Sequence, residues 1–151
     1  FVLAWLTAEE LAGLHQQAGY FIGVLILLRL VWGLIGSRHA RFRNFPVSPH
    51  RVIHYLDSLR SREPKRFLGH NPAGAWMIMA LLGCLAVTVA AGWLMNGGEG
   101  WLEEIHEAVA QLTLILVIVH IVGVVVASLM HHENLVRAML TGRKPSEKEH
   151  V

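Results

Sequence analysis

The amino-acid sequence predicts an all-α membrane protein, a transmembrane four-helix bundle whose first helix is only partly present. The chain of 151 residues is 54% hydrophobic and only 16% charged, which is too apolar for an ordinary soluble domain. Its apolar residues form three runs, 18–36, 73–95 and 108–129, each close to the roughly 20 residues that a helix needs to cross a bilayer. Two histidines, His106 and His120, lie in the last apolar stretch, where such side chains are costly and usually functional.

The predicted spans follow from these runs and from the start of the chain. Residues 1–6 are apolar and lead into the polar segment Thr7-Ala8-Glu9-Glu10. We expect them to be the tail of a first spanning helix, with a short interfacial segment at a processed terminus as the alternative. The other spans are expected at about residues 15–36, 72–95 and 102–130, in a single membrane domain covering residues 1–151.

The orientation in the membrane is predicted by lysine and arginine, which are distributed unevenly. The connection 37–71 holds eight of them and the tail 131–151 holds four, whereas the connections 7–14 and 96–101 hold none. Because basic residues accumulate on the cytoplasmic side, the 37–71 loop and the C-terminus are predicted to be cytoplasmic. The tryptophans fit an aromatic belt at the two interfaces: Trp5, Trp93 and Trp101 outside, and Trp32 and Trp76 inside.

Two amphipathic helices are predicted on the cytoplasmic side. In the loop, Ser48 and Pro49 suit an N-cap and a first helical position. Apolar residues at helical spacing follow in the loop and again after the last span: Val52, Ile53, Leu56 and Leu59, then Leu135, Val136, Met139 and Leu140. We expect both helices to lie on the membrane surface, with docking of a partner protein as the less favoured alternative.

The spacing of the histidines predicts the ligand sites. His106 and His120 are fourteen residues apart, so on a helix they share one face to within ~40° and are separated by roughly 21 Å along the axis. This predicts two stacked ligand sites. His15 opens the second span on the outer side, at the level of His106. Two imidazoles that approach one plane from opposite faces are the ligands of a b-type haem, so His15 and His106 are predicted to bind an outer haem.

An inner site is predicted around His120, but the sequence offers it no partner within a span. We expect the fourth ligand to lie on the first helix, upstream of Phe1. Arg29 follows His15 by fourteen residues and is therefore expected at the level of His120. A haem propionate would match its guanidinium, while snorkelling to the cytoplasmic headgroups is the alternative. Five glycines would let a porphyrin or a neighbouring helix approach closely: Gly13, Gly19, Gly23, Gly33 and Gly123.

Other metal chemistry is less favoured. Cys84 is the only cysteine and no C-x-x-C-H motif occurs, which excludes covalent attachment of a c-type haem. A non-haem metal-dependent membrane enzyme needs several ligands around one metal, whereas the histidines of the last span are too far apart. His70 and His131 are weaker candidates for handling quinone or protons.

Several stretches carry a family resemblance: GLHQQAGYFIGVLILLRLVWGLIGSRHARF, LGHNPAGAWM, WLEEIHEAV and HHENLVRAMLTGRK. With the His-x13-His pair, they resemble the bacterial cytochrome b561 / Ni-Fe-hydrogenase b-type cytochrome family over essentially the whole chain. The resemblance implies a four-helix bundle in the bacterial inner membrane with two b haems, His15 and His106 matching the outer ligands and His120 one inner ligand. The first-helix histidine of the family has no counterpart in this sequence.

The resemblance also implies the function. Members pass electrons between a membrane quinone and a redox partner such as a hydrogenase, a dehydrogenase or a c-type cytochrome. We expect an electron-transfer subunit rather than a stand-alone enzyme, because no nucleophile or acid–base pair is visible, and no nucleic-acid partner. Superoxide:quinone oxidoreduction is the alternative on the same scaffold. It would need a positive funnel for the anion, and the outer connections carry acids and no basic residues.

Overall fold

The computed structural model describes residues 1–37, 40–44, 48–60, 72–95, 100–130 and 137. Helices dominate these ranges, and no strand occurs within them. The helices in chain order are α1 (Val2–Leu6), α2 (Ala12–Ile35), a 3-10 turn (Phe42–Asn44), α3 (Pro49–Arg60), α4 (Pro72–Leu94) and α5 (Gly100–Met130). The prediction of an all-α membrane protein is confirmed.

Three helices, α2, α4 and α5, are long and apolar enough to cross a membrane. Their 24, 23 and 31 residues correspond to lengths of roughly 35 to 47 Å at 1.5 Å per residue, against about 30 Å of hydrocarbon. Large apolar side chains stand exposed along them, for example Leu27, Ile35 and Leu129. Contiguous apolar surface of this kind suits lipid rather than water, so the chain is an integral membrane protein.

The chain divides into two compact units. The first consists of Phe1–Phe45 and Ile78–Leu116, and the second of Pro46–Met77 and Val117–Val151. Helices α4 and α5 each have one part in the first unit and one part in the second.

The first unit packs four helical segments together: α1, α2, the later part of α4 and the earlier part of α5. A Cβ placed on Gly23 of α2 would lie 3.2 Å from Cγ1 of Val89 on α4, so these two helices approach closely. Small residues fill the interior, among them Ala4, Ala91 and Thr113, the last of which is fully buried. Small side chains let helix backbones approach one another in a membrane.

The end of α1 is held by Thr7. Its backbone N–H donates to the Leu3 carbonyl over 3.1 Å, and its hydroxyl donates to the same oxygen over 2.8 Å. These bonds satisfy carbonyls that a helix end leaves without partners. The chain then turns, and the Leu11 N–H donates to the Thr7 carbonyl over 3.2 Å. Helix α2 therefore begins beside the end of α1, at Ala12, three residues before the expected start of the span.

In the second unit, α3 follows Ser48, whose carbonyl accepts bonds from the N–H groups of Arg51 and Val52 at 3.0 and 3.3 Å. The helix buries Tyr55, which is only 5% exposed, and leaves Ile53 and Leu56 exposed. Exposed apolar residues on an amphipathic helix suit the membrane surface predicted for it. The predicted C-terminal helix at residues 135–140 lies outside the described residues.

Candidate functional site

The structure brings His15 and His106 together within the first unit. His15 is in the first turns of α2, and His106 is in the second turn of α5. Their ring centroids are 5.9 Å apart, with 69° between the ring planes. Both side chains are partly buried. Two residues ninety-one positions apart thus meet at one level, as the sequence predicted.

The His15 ring is anchored on the first helix. Its Nδ1–H donates to the carbonyl oxygen of Ala4 over 2.8 Å. That carbonyl lies in the last turn of α1, where a helix has no backbone donors left for its oxygens. It also accepts a longer bond, 3.3 Å, from the Thr7 hydroxyl. The short helix α1 therefore serves the site by supplying an acceptor at its C-terminal end.

The His106 ring is anchored on α4 in the same way. Its Nδ1–H donates to the carbonyl oxygen of Thr88 over 2.8 Å. Thr88 is well inside α4, and its own hydroxyl donates to the Cys84 carbonyl over 2.9 Å. The partner of His106 is thus a carbonyl in the middle of a helix, whereas that of His15 is at a helix end.

These two bonds decide which nitrogen is available for a ligand. A carbonyl can only accept a hydrogen bond, so Nδ1 carries the proton in both rings and, in the neutral imidazole, Nε2 keeps its lone pair. Histidines that bind metals almost always donate their other N–H in this manner, which fixes the orientation of the ring. Nε2 of both rings is therefore prepared as a ligand atom.

The spacing of the rings also fits a shared iron. Two metal–nitrogen bonds of about 2 Å, with roughly 1 Å from each nitrogen to its ring centre, place the two centroids about 6 Å apart. The observed 5.9 Å agrees. Binding of one iron by two imidazoles requires no particular angle between their planes, so the observed 69° is compatible with it. The residues present fit a bis-histidine haem.

Glycines shape the space around the rings. Gly19, one turn after His15, has no atom within 4 Å of the position a Cβ would take, so open space adjoins the site. A Cβ on Gly92 would lie 3.0 Å from both Cε1 and Nδ1 of His106. Gly92 was not among the glycines that the sequence indicated, because its proximity to His106 depends on how α4 and α5 are rotated against each other. Gly33, where the sequence indicated close approach of a porphyrin or a neighbouring helix, lies against the ring of Phe42.

Arg29, the predicted propionate ligand, lies in the C-terminal half of α2. Its Nη1 donates to the Ala40 carbonyl over 3.3 Å, and its guanidinium carbon stands 4.8 Å from the centroid of the Phe42 ring. Arg41, which follows Ala40, donates from Nε to the Gly36 carbonyl over 2.7 Å. Arg29 thus binds the segment that follows α2, and its role toward a propionate stays a prediction.

His120 lies in the second unit, on α5, and is partly buried. The structure keeps it on the same continuous helix as His106, as the His-x13-His spacing predicted. Its expected partner upstream of Phe1 is not part of this sequence. Ligation by His120 therefore stays a prediction.

The remaining histidines contribute one close pair. His50 and His54 on α3 form an H-x-x-x-H pair with ring centroids 5.7 Å apart, and both are exposed. Among the residues that the structure describes, no group of three or more histidine, cysteine, aspartate or glutamate side chains is arranged to hold a metal ion. The other histidines of the sequence, including the candidates His70 and His131, lie outside the described residues: His39, His70, His131, His132 and His150.

Comparison with known proteins identifies the family. The sequence profile of prokaryotic cytochrome b561 matches residues 2–142, nearly the whole chain. The chain belongs to the prokaryotic cytochrome b561 family. The resemblance seen in the sequence is therefore confirmed, and with it a cytochrome b scaffold for b-type haem.

Curated relatives of this cytochrome b561 family member are hydrogenase subunits. Three are named probable Ni/Fe-hydrogenase B-type cytochrome subunit: those of Bradyrhizobium diazoefficiens (26% identical, covering 86% of this chain and 64% of the relative), Rhizobium leguminosarum bv. viciae (25%, 87% and 67%) and Azotobacter vinelandii (24%, 85% and 65%). The chain thus spans about two thirds of the length of these relatives. No solved structure matches it.

Proposed function

We propose that this cytochrome b561 family member carries electrons across a bacterial inner membrane, between a membrane quinone and a redox partner protein. His15 and His106 would hold the iron of an outer b-type haem. One observation carries the proposal: both rings donate Nδ1–H to a backbone carbonyl at 2.8 Å while their centroids are 5.9 Å apart. Such an arrangement holds two Nε2 lone pairs ready for one iron.

The bound haem supplies one-electron redox chemistry, and the chain's own residues position and tune it. His15 and His106 come from different helices, so the relative placement of α2 and α5 would set the distance between the two ligands. Their hydrogen bonds to Ala4 and Thr88 prevent the rings from turning and keep the proton off Nε2. A haem held by two histidines would be suited to electron transfer.

A second haem on the inner side completes the proposed path. His120 supplies one ligand, and a histidine upstream of Phe1 supplies the other. Along α5, His120 is roughly 21 Å from His106 at 1.5 Å per residue, which is most of the hydrocarbon thickness. Arg29 has N–H groups beyond the one bonded to Ala40, and these can donate to a propionate of the inner haem.

The partner and the orientation follow from the relatives and from the charges. The curated relatives are named hydrogenase subunits, so a hydrogenase is the favoured partner, with a dehydrogenase or a c-type cytochrome as other members of the same class. The loop 37–71 and the C-terminus face the cytoplasm, since they hold twelve of the thirteen lysines and arginines. The lipid bilayer surrounds the three long helices.

Quinol-driven reduction tests this function. The protein, with its natural N-terminus, is purified in lipid nanodiscs, and its visible spectrum is recorded after addition of a short-chain quinol. We expect a reduced b-type α-band and two haems per polypeptide by pyridine haemochrome. A spectrum without b-type haem would contradict the proposal. Haem that a quinol cannot reduce, but superoxide can, would instead support superoxide oxidation.

A further inference from the structure

We infer that Gly92 is a positioning residue for the outer haem: by lacking a side chain it opens the Thr88 carbonyl, inside α4, to the Nδ1–H of His106. This inference rests on the proposed function, because it concerns the haem ligand His106. It assigns a role to a residue that touches neither the iron nor the proposed electron path.

The acceptor of the His106 bond is a carbonyl inside a helix. Thr88 lies within the continuous helix α4, so its carbonyl accepts the helical bond from the N–H of residue 92, four positions later. A carbonyl oxygen has two lone pairs, and His106 uses the second one at 2.8 Å. A helical carbonyl can take such an additional donor only if the donor can reach it from the side of the helix.

A side chain at position 92 would block that approach. Side chains on a helix tilt toward its N-terminus and cover the turn before their own Cα. The side chain of residue 92 would therefore cover the Thr88 carbonyl. With glycine at this position, the imidazole occupies that space instead: a Cβ there would stand 3.0 Å from Nδ1 and 3.0 Å from Cε1 of His106, closer than the 3.5–4.0 Å or so of ordinary carbon contacts.

The other proposed ligand, His15, obtains its hydrogen bond without such a glycine. His15 donates to the Ala4 carbonyl in the last turn of α1, where the helix supplies no further N–H donors. The two ligands of one haem therefore obtain the same hydrogen bond in different ways. His15 uses a free helix end, whereas His106 needs a glycine four residues after its acceptor.

The consequence for the haem is specific. A firm Nδ1–H bond raises the electron donation of the imidazole to iron and fixes the tautomer that binds. An alanine at position 92 pushes the ring away from Thr88 and lengthens this bond. We expect haem affinity at the outer site to fall about 10- to 100-fold, the usual cost of losing such a partner, and the reduction potential of the outer haem to rise.

Two variants with matched controls test the inference in the purified full chain. Gly92→Ala is compared with Gly83→Ala, on the same helix, where nothing lies within 4 Å of the new Cβ. In a second variant, Val89 is replaced by its α-hydroxy-acid analogue, which turns the Thr88 carbonyl into a weaker ester acceptor without changing any side chain. The same replacement at Val87 is its control. Haem retention, the low-spin EPR signal and the potential of the outer haem are measured.

The outcomes separate the possibilities. Changed outer-haem signals in Gly92→Ala and in the position-89 ester, with both controls like wild type, support the inference. If Gly92→Ala fails to fold, the position-89 ester decides alone, and an ester that behaves like its control at 87 overturns the inference. His106→Ala is measured in parallel. If this variant keeps the outer haem, the proposed function itself fails. If it loses the outer haem while the position-89 ester is unaffected, only the role of Gly92 is contradicted.

Discussion

The Nδ1–H of His15 donates to the carbonyl oxygen of Ala4 over 2.8 Å, and this bond joins the first helix to a proposed haem ligand on the second. Helix α1 has only five residues, Val2–Leu6, yet one of its carbonyls accepts this bond. The ring of His106 is bound to α4 in the same manner. Each proposed ligand is thus oriented by a helix other than its own.

Replacing one ligand tests the axial role directly. We expect His15→Met to raise the reduction potential of the outer haem, because a His/Met pair favours the reduced iron relative to two imidazoles. Redox titration monitored by the low-spin EPR signal measures the change. His54→Met, at an exposed position of α3, is the control and should leave the titration unchanged. An unaltered potential in His15→Met would argue against ligation by His15.

The end of α1 depends on the Thr7 hydroxyl, which donates to the Leu3 carbonyl over 2.8 Å and, more weakly, to Ala4. Thr7→Val keeps the shape and removes this donor. We expect the free energy of unfolding to fall by about 1 kcal/mol, the typical net value of a hydrogen bond. Denaturation in detergent, followed by circular dichroism, measures this change. A variant as stable as wild type would show that α1 does not need the bond.

The C-terminal end of α2 is close-packed at Gly33, against the ring of Phe42. A methyl group there requires the ring to move, so Gly33→Ala is expected to cost about 1 to 3 kcal/mol, as for other overpacked sites. In the open space at Gly83, the same change should stabilise the helix by up to about 1 kcal/mol, since alanine is the better helix former. Equal thermal stability of the two variants would contradict the packing described for Gly33.

The contact between Arg29 and Phe42 is expected to stabilise the segment after α2. A guanidinium 4.8 Å from a ring centroid should contribute about 0.5 to 2 kcal/mol, depending on its exposure to solvent. A double-mutant cycle with Arg29→Gln and Phe42→Leu isolates this term from the bond to Ala40. A coupling energy near zero would leave the carbonyl bond as the main role of Arg29 in this segment.

Hydropathy was sufficient to predict the three long apolar helices, because it follows from the run of residues along each of them. The meeting of His15 with His106 followed from placing both histidines at the same end of their helices. Gly92 and the carbonyls of Ala4 and Thr88 could not be predicted, because they depend on how neighbouring helices are rotated and every residue carries a carbonyl. Likewise, α3 buries Tyr55, although the apolar spacing indicated its neighbours. The sequence shows which residues are unusual in a membrane, and the packing shows what holds them.

The most direct test of the central claim is the low-spin EPR signal of the outer haem in His15→Ala, His106→Ala and the double variant. If the two rings bind one iron, either single substitution removes that signal, and the double variant loses no more than each single one. Any signal from an inner haem remains in all three. Two signals that disappear independently, or an outer signal that survives loss of either histidine, would contradict the claim that His15 and His106 share a haem.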